Sequence, residues 1–183
     1  MGQIQPPSAV MLVVAIVSRH SEALQWAREA AAGEYGPIAL VSDAFDFTET
    51  EYYTATMGTQ LKKQFVAFER AIDPAALAGI KRQTNAWEAE YAASRRHDEV
   101  RPLNLDPGYI TPAKLVLAST KDHAHRIYLA EGIYAEVTLA YRGRRWRPLD
   151  WTYPDYRRDD YQEFFTACRE RALNCGKWGR GLK

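Results

Sequence analysis

The sequence predicts an α+β fold with a mainly antiparallel sheet, and three observations carry that expectation. Residues 10–17 are an unbroken run of β-branched and aliphatic side chains, the pattern of a strand buried on both faces. Residues 22–34 and 74–91 repeat apolar side chains at helical spacing. Residues 126–129 and 133–141 are strand-like runs around a short loop containing Gly132, which reads as a hairpin.

Bulk composition bounds the function. A chain of 183 residues with 46% hydrophobic and 26% charged residues can bury one core without disulfides or metals. Residues 1–183 are therefore expected to form a single α+β domain. A formal net charge of +1 supplies no global field, so nucleic acid is a disfavoured partner and no membrane partner is expected. The cysteines, Cys168 and Cys175, would lie roughly 10 Å apart on one helix, too far for a disulfide. Their sparse use points to a reducing, cytoplasmic setting. The apolar run at residues 9–17 is too short to span a bilayer, and residues 1–8 lack the positive charge that opens a signal peptide. Gly2 is no myristoylation signal, because Pro6 stands where Ser or Thr is required.

In chain order, the strand at residues 10–17 is followed by Ser18 and Ser21 as candidate caps. A helix then carries Ala23, Leu24, Ala27, Ala30 and Ala31 on one face, and Gly36-Pro37 stops it. Residues 37–42 form a second strand and residues 43–58 a long acidic, aromatic loop. Residues 62–72 read as a strand. Asp73-Pro74 then starts a helix, since Asp accepts from free backbone donors and Pro has no N–H to waste. Its stripe is Leu77, Ile80, Thr84, Trp87 and Tyr91, with Trp87 in the core and Lys81, Arg82, Glu88 and Glu90 largely elsewhere. A strand at residues 101–105 leads into Asp106-Pro107-Gly108-Tyr109, which has the composition of a type II turn.

The order β-α-β-β-α-β over residues 9–106 matches the ferredoxin-like split βαβ pattern, whose two helices cover one face of four strands. Residues 107–175 extend it with a C-terminal antiparallel hairpin sheet and a terminal helix, and 176–183 form a basic tail. In the hairpin, a loop of Ala130, Glu131 and Gly132 sets Tyr128 opposite Tyr134 and Arg126 opposite Glu136, with Gly132 at positive φ. A turn at Gly143-Arg144 sets Tyr141 opposite Trp146. Asp160 and Glu163 box the start of a helix whose buried stripe is Tyr161, Phe164, Phe165, Cys168 and Ala172.

The runs Asp106-Pro107-Gly108-Tyr109-Ile110-Thr111, Lys114 through Lys121 (KLVLASTK), His125-Arg126-Ile127-Tyr128-Leu129, Gly132 through Leu139 (GIYAEVTL) and Trp151-Thr152-Tyr153-Pro154-Asp155-Tyr156 carry a resemblance over nearly the whole chain. The sequence resembles DUF4416, a bacterial family of unknown function. The resemblance implies no settled activity, although some members carry a GTP-binding label.

The residues themselves argue against a conventional GTPase, because no G-x-x-x-x-G-K-[ST] run exists to surround a β-phosphate. An anion site is better motivated. Thr111-Pro112 is a candidate helix start with free N–H groups, and Lys114, Lys121, His125 and Arg126 cluster in the sequence around it. Tyr109, Tyr128 and Tyr134 would wall the site, with Ser119, Asp155 and Tyr156 as further ligand-binding candidates. Competing with this, Arg126 is a candidate cross-strand partner of Glu136, worth on the order of 0.2–1 kcal/mol. For acid-base chemistry the candidates are Asp106, Glu136 and His125, with Asp155 either a base or the acceptor of a Tyr153 or Tyr156 hydroxyl. His123 and His125 would share a face if they lay on a strand, with a carboxylate such as Glu136 or Asp106 to complete a metal site. Arg142, Arg144, Arg145 and Arg147 around Trp146 read as a charged edge. The expected function is the binding of a small anionic metabolite, such as a nucleotide or phosphorylated compound. The alternatives are a hydrolase or transferase with a carboxylate base, and an interaction module without a small ligand. No cofactor is legible.

Overall fold

The computed structural model describes residues 2–174, so Cys175 and the basic tail expected at 176–183 lie outside the described residues. Nine strands, β1 (Val10–Ser18), β2 (Ile38–Val41), β3 (Phe45–Asp46), β4 (Lys62–Ile72), β5 (Asn104–Ile110), β6 (Lys114–Ser119), β7 (Ile127–Ala130), β8 (Ile133–Arg142) and β9 (Arg145–Pro148), form one sheet. The helices are α1 (Ser21–Tyr35), α2 (Thr54–Met57), α3 (Leu77–Ala93) and α4 (Asp159–Asn174). The fold is α+β, with strand order β2-β4-β1-β5-β6-β8-β7, β3 added beside β4, β9 beside β8, and each described pairing antiparallel.

Strand alternation divides β1 between two cores. Leu12, Val14 and Ile16 pack under α1 and α3 with Leu24, Ala27, Ile80, Trp87 and Tyr91. Met11, Val13 and Ala15 pack on the other face, where α4 lays down Tyr161, Phe164, Phe165, Cys168 and Ala172. The continuous apolar run is thus what a strand covered on both sides requires, each fully buried side chain contributing about 1.5–3 kcal/mol. Asp73 caps the entry to α3 by accepting from Ala75 N at 2.8 Å. Cys168 is buried, and burial pushes its thiol well above the ordinary range, which leaves it inert.

Several expectations are corrected. Asp106-Pro107-Gly108-Tyr109 is no turn but the middle of β5, paired with β1 through Ala15↔Asp106 and Val13↔Gly108. The β6 ladder begins only at Gly108↔Leu117, so Pro107 lies outside it. Gly108 serves close approach instead of positive φ, since a Cβ there would sit 2.3 Å from the Val116 carbonyl oxygen. The strand expected at residues 101–105 consequently starts three residues later, at Asn104. Thr111-Pro112 starts no helix. It turns β5 into β6, and the Thr111 hydroxyl accepts from Ala113 N at 3.1 Å and Lys114 N at 3.0 Å. The N-cap of α1 is His20, while Ser18 donates to Pro102 O and accepts from His20 N.

Residues 43–58 hold β3 and α2 in place of a structureless loop. At the β7–β8 hairpin Glu131 and Gly132 both take positive φ, and Ala130 pairs with Ile133. An irregularity between Tyr128 and Ala130 restores the expected Tyr128↔Tyr134 register. Tyr141 faces Trp146 as expected, with ring centres 5.1 Å apart.

Candidate functional site

One end of the sheet carries the candidate site, where β4 and β5 begin, β6 ends and the paired part of β8 passes Leu117. There β6 no longer pairs with β5 beyond Gly108↔Leu117. Lys81 of α3 reaches the opening, its Nζ donating to Leu105 O at 2.7 Å and to Asp106 Oδ1 at 3.0 Å. Lys81 is thus buried, not on the solvated side expected from the helical stripe. The result is a cavity of about 530 Å³ lined by residues of β4, α3, β5, β6 and β8 and by the segments around positions 47–53, 119–126 and 153–156. That volume suits one small molecule.

At its base Lys63 Nζ lies 2.6 Å from Asp155 Oδ2, with both side chains 5% exposed. The ammonium faces the rings of Tyr156 at 4.4 Å and Phe47 at 4.8 Å. Among the described residues Asp155 is its only hydrogen-bond partner, which leaves two of three N–H donors unfilled. Tyr156 is 2% exposed and lines the cavity, and its hydroxyl has no hydrogen bond to any described residue. The expected bond from Tyr153 or Tyr156 to Asp155 is absent among the described residues, because Lys63 takes the carboxylate and Tyr153 serves Arg126.

Asp106 accepts from Lys81 on one oxygen and from Asn104 Nδ2, at 2.7 Å, on the other. Burial raises its carboxyl, but the charges of Lys81 and Lys63 and the two hydrogen bonds outweigh that and hold it at about 2. A carboxylate so well stabilised is a poor proton acceptor near neutral pH. Burial pushes the Tyr53, Tyr153 and Tyr156 phenols up, which keeps them neutral donors. Glu88, raised by burial, accepts from Leu105 N at 2.7 Å and pairs with Arg101.

Arg126 is a structural hub. Its Nε donates to Glu136 at 2.8 Å, and its terminal nitrogens to Ser119 Oγ, Lys121 O and Tyr153 Oη at 2.7, 2.9 and 2.6 Å. His125 Nε2 meets Glu136 at 3.1 Å and stacks on Trp151, which ties the loop to β8. His123 and His125 precede β7 instead of sharing a strand face, their ring centres 5.8 Å apart. Among the described residues no three His, Cys, Asp or Glu groups form a metal cluster.

A family model described as Domain of unknown function (DUF4416) matches residues 8–171. The chain belongs to this family. Comparison of the DUF4416 chain with curated proteins and with solved structures yields no match. No helix among the described residues is long and apolar enough to cross a membrane.

The DUF4416 fold brings together some of the residues singled out from sequence and separates others. Asp106, Ser119, Lys121, Arg126, Glu136, Asp155 and Tyr156 all line the cavity. His125 sits behind it, held by Glu136. The four-residue cationic clamp does not assemble, because Lys114 and Thr111 lie at the opposite end of β6, where Lys114 pairs with Ala140 while Ser119 pairs with Tyr134. Tyr109 packs beside the cluster of Leu77 and Val116. Tyr128 and Tyr134 pack edge to face outside the lining, their ring centres 5.4 Å apart. Sequence reasoning missed Lys63, Lys81, Glu88, Arg101, Tyr52 and Tyr53. The hint for Lys63 is its place just ahead of the apolar run Phe65–Phe68 in its strand; the aromatic run at residues 45–53 is the other signal.

Proposed function

We propose that the DUF4416 chain binds a small anionic metabolite, such as a nucleotide or phosphorylated compound, in this cavity. The observation that carries the reading is the base of the cavity, where, among the described residues, buried Lys63 retains unfilled donors and faces Tyr156, whose hydroxyl has no hydrogen-bond partner. Folding buries polar groups without full partners only at a cost, and a ligand that fills them recovers it. Phe47, Tyr52, Tyr53 and Tyr153 supply apolar walls for the ligand body.

The experiment is a thermal-shift and calorimetric screen of nucleotides, sugar phosphates and carboxylates against wild type, Lys63→Met and Tyr156→Phe. A hit in wild type that weakens at least about tenfold in Lys63→Met supports the reading. A hit indifferent to both substitutions overturns it. A hydrolase or transferase is the second reading, favoured by the His125–Glu136 contact at 3.1 Å. It requires turnover of the bound compound that Glu136→Gln abolishes without weakening binding. No response to any compound favours an interaction module, for which Ile127, Tyr128 and Leu129 on β7 are exposed.

We read β1-α1-β2-β4-α3-β5 as a ferredoxin-like split βαβ unit, on the strength of the order β2-β4-β1-β5 and of α1 and α3 sharing one face. The sheet continuous from β2 to β7 supports a single domain, and a buried free thiol at Cys168 suits a reducing, cytoplasmic setting.

A further inference from the structure

Each carboxylate lining the cavity already faces a cation: Asp155 faces Lys63, Asp106 Lys81, Glu88 Arg101, Glu136 Arg126 and Glu49 Arg158. Lys121 stands apart. Among the described residues its Nζ has no carboxylate partner; it donates to the Tyr52 hydroxyl at 2.7 Å and lies 4.2 Å from the centre of that ring. The two residues are 69 positions apart, both are exposed, and both line the cavity. They form a strap between the segments at 47–53 and 119–126.

We propose that Lys121 is the anion seat of this cavity, built for a single negative charge, and that the Tyr52 hydroxyl occupies the seat until a ligand anion displaces it. The inference rests on the small-ligand reading above and narrows its chemistry. The lining carries five cations and five carboxylates, so its formal charge is zero with His123 neutral. A polyphosphate would bring several charges to a surface with one unmatched cation, and would have to open buried pairs to find more. A singly charged group, a carboxylate or a phosphodiester, takes Lys121 and leaves all five pairs intact. The exchange is favourable because an anionic oxygen adds a charge–charge attraction to the ammonium that the neutral hydroxyl lacks. The hydrogen bond and charge of Lys121 hold the Tyr52 phenol below its ordinary range, as expected of a group standing in for an anion.

The test uses the full chain at pH 7 with two probes at matched ionic strength, ¹³C-formate followed by ¹³C NMR and tripolyphosphate followed by ³¹P NMR. Formate should show saturable broadening and tripolyphosphate should bind no tighter. Lys121→Met should weaken formate about tenfold or more, whereas Tyr52→Phe, which removes the competing hydroxyl, should tighten it severalfold. Both residues are exposed, so unchanged melting temperatures verify that the variants fold. Tighter binding of tripolyphosphate overturns the single-charge seat. Absence of a saturable formate signal, or one unchanged in Lys121→Met, overturns Lys121 as its centre. Weaker formate binding in Tyr52→Phe overturns the displacement. A metabolite whose affinity depends on Lys63 but not on Lys121 would sink this inference while upholding the cavity reading.

Discussion

Lys63 and Asp155 are 92 positions apart, and the fold brings Nζ and Oδ2 to 2.6 Å with both side chains almost sealed from water. The pair joins the start of β4 to the segment that precedes α4. Taking two charges out of water is costly, so each is tolerable only because the other is present.

Replacing one partner should therefore be far worse than replacing both. Asp155→Asn or Lys63→Met is expected to cost about 3–5 kcal/mol, and the double change Lys63→Met with Asp155→Leu much less than the sum. Urea denaturation measures this. Single costs below about 1 kcal/mol, the range of an exposed pair, would show that the pair is solvated.

Arg126 and Glu136 give a parallel case with a different readout. Both side chains are 1% exposed, so the cross-strand value for a surface pair badly understates their coupling. Arg126→Met should destabilise by about 3–5 kcal/mol and, by releasing Ser119, Lys121 O and Tyr153, loosen the 119–126 segment. Hydrogen exchange should rise there first. Exchange unchanged in that segment would contradict the role of Arg126 as its anchor.

Asp106 sets an acid limb of stability. Its folded value, about 2, is depressed below the ordinary 3.8. The stabilisation it gives is complete above the ordinary value and is lost as pH falls from about 4 through about 2. The shift corresponds to about 2 kcal/mol. Asp106→Asn should flatten that part of the stability–pH curve and lower stability at neutral pH. A wild-type curve with no loss attributable to Asp106 in this window would contradict the depressed value.

Gly108→Ala should destabilise by about 1–3 kcal/mol, because the added methyl overlaps the Val116 carbonyl and β6 must shift. Gly132→Ala tests a different mechanism. It meets open space, and its cost is the positive φ alone. Equal tolerance at Gly108 and at an ordinary exposed strand position would remove the close-approach argument.

Much was legible from local pattern. The run at residues 10–17, the Asp73-Pro74 cap of the turn that leads into α3, the stripe of α4 and the Tyr141–Trp146 facing pair follow from periodicity, capping and turn chemistry, which act over a few neighbours. The Pro107-Gly108 dipeptide misled because its composition fits a turn equally well. Only the neighbouring strand reveals that Gly108 answers to Val116.

For this protein the sequence by itself determined most of the strands and the three long helices, that they make an α+β fold, and that Asp106, Lys121, Arg126, Glu136 and Asp155 belong to the stretches that line the cavity. Tertiary structure alone decided that Lys63 and Lys81 belong with them, that Lys114, Tyr128 and Tyr134 do not, and that Lys121 has no carboxylate partner among the described residues. The reason is range. Side-chain periodicity reports which face a residue takes, whereas partnership across 69 or 92 positions depends on where one ladder ends and a helix side chain enters the gap.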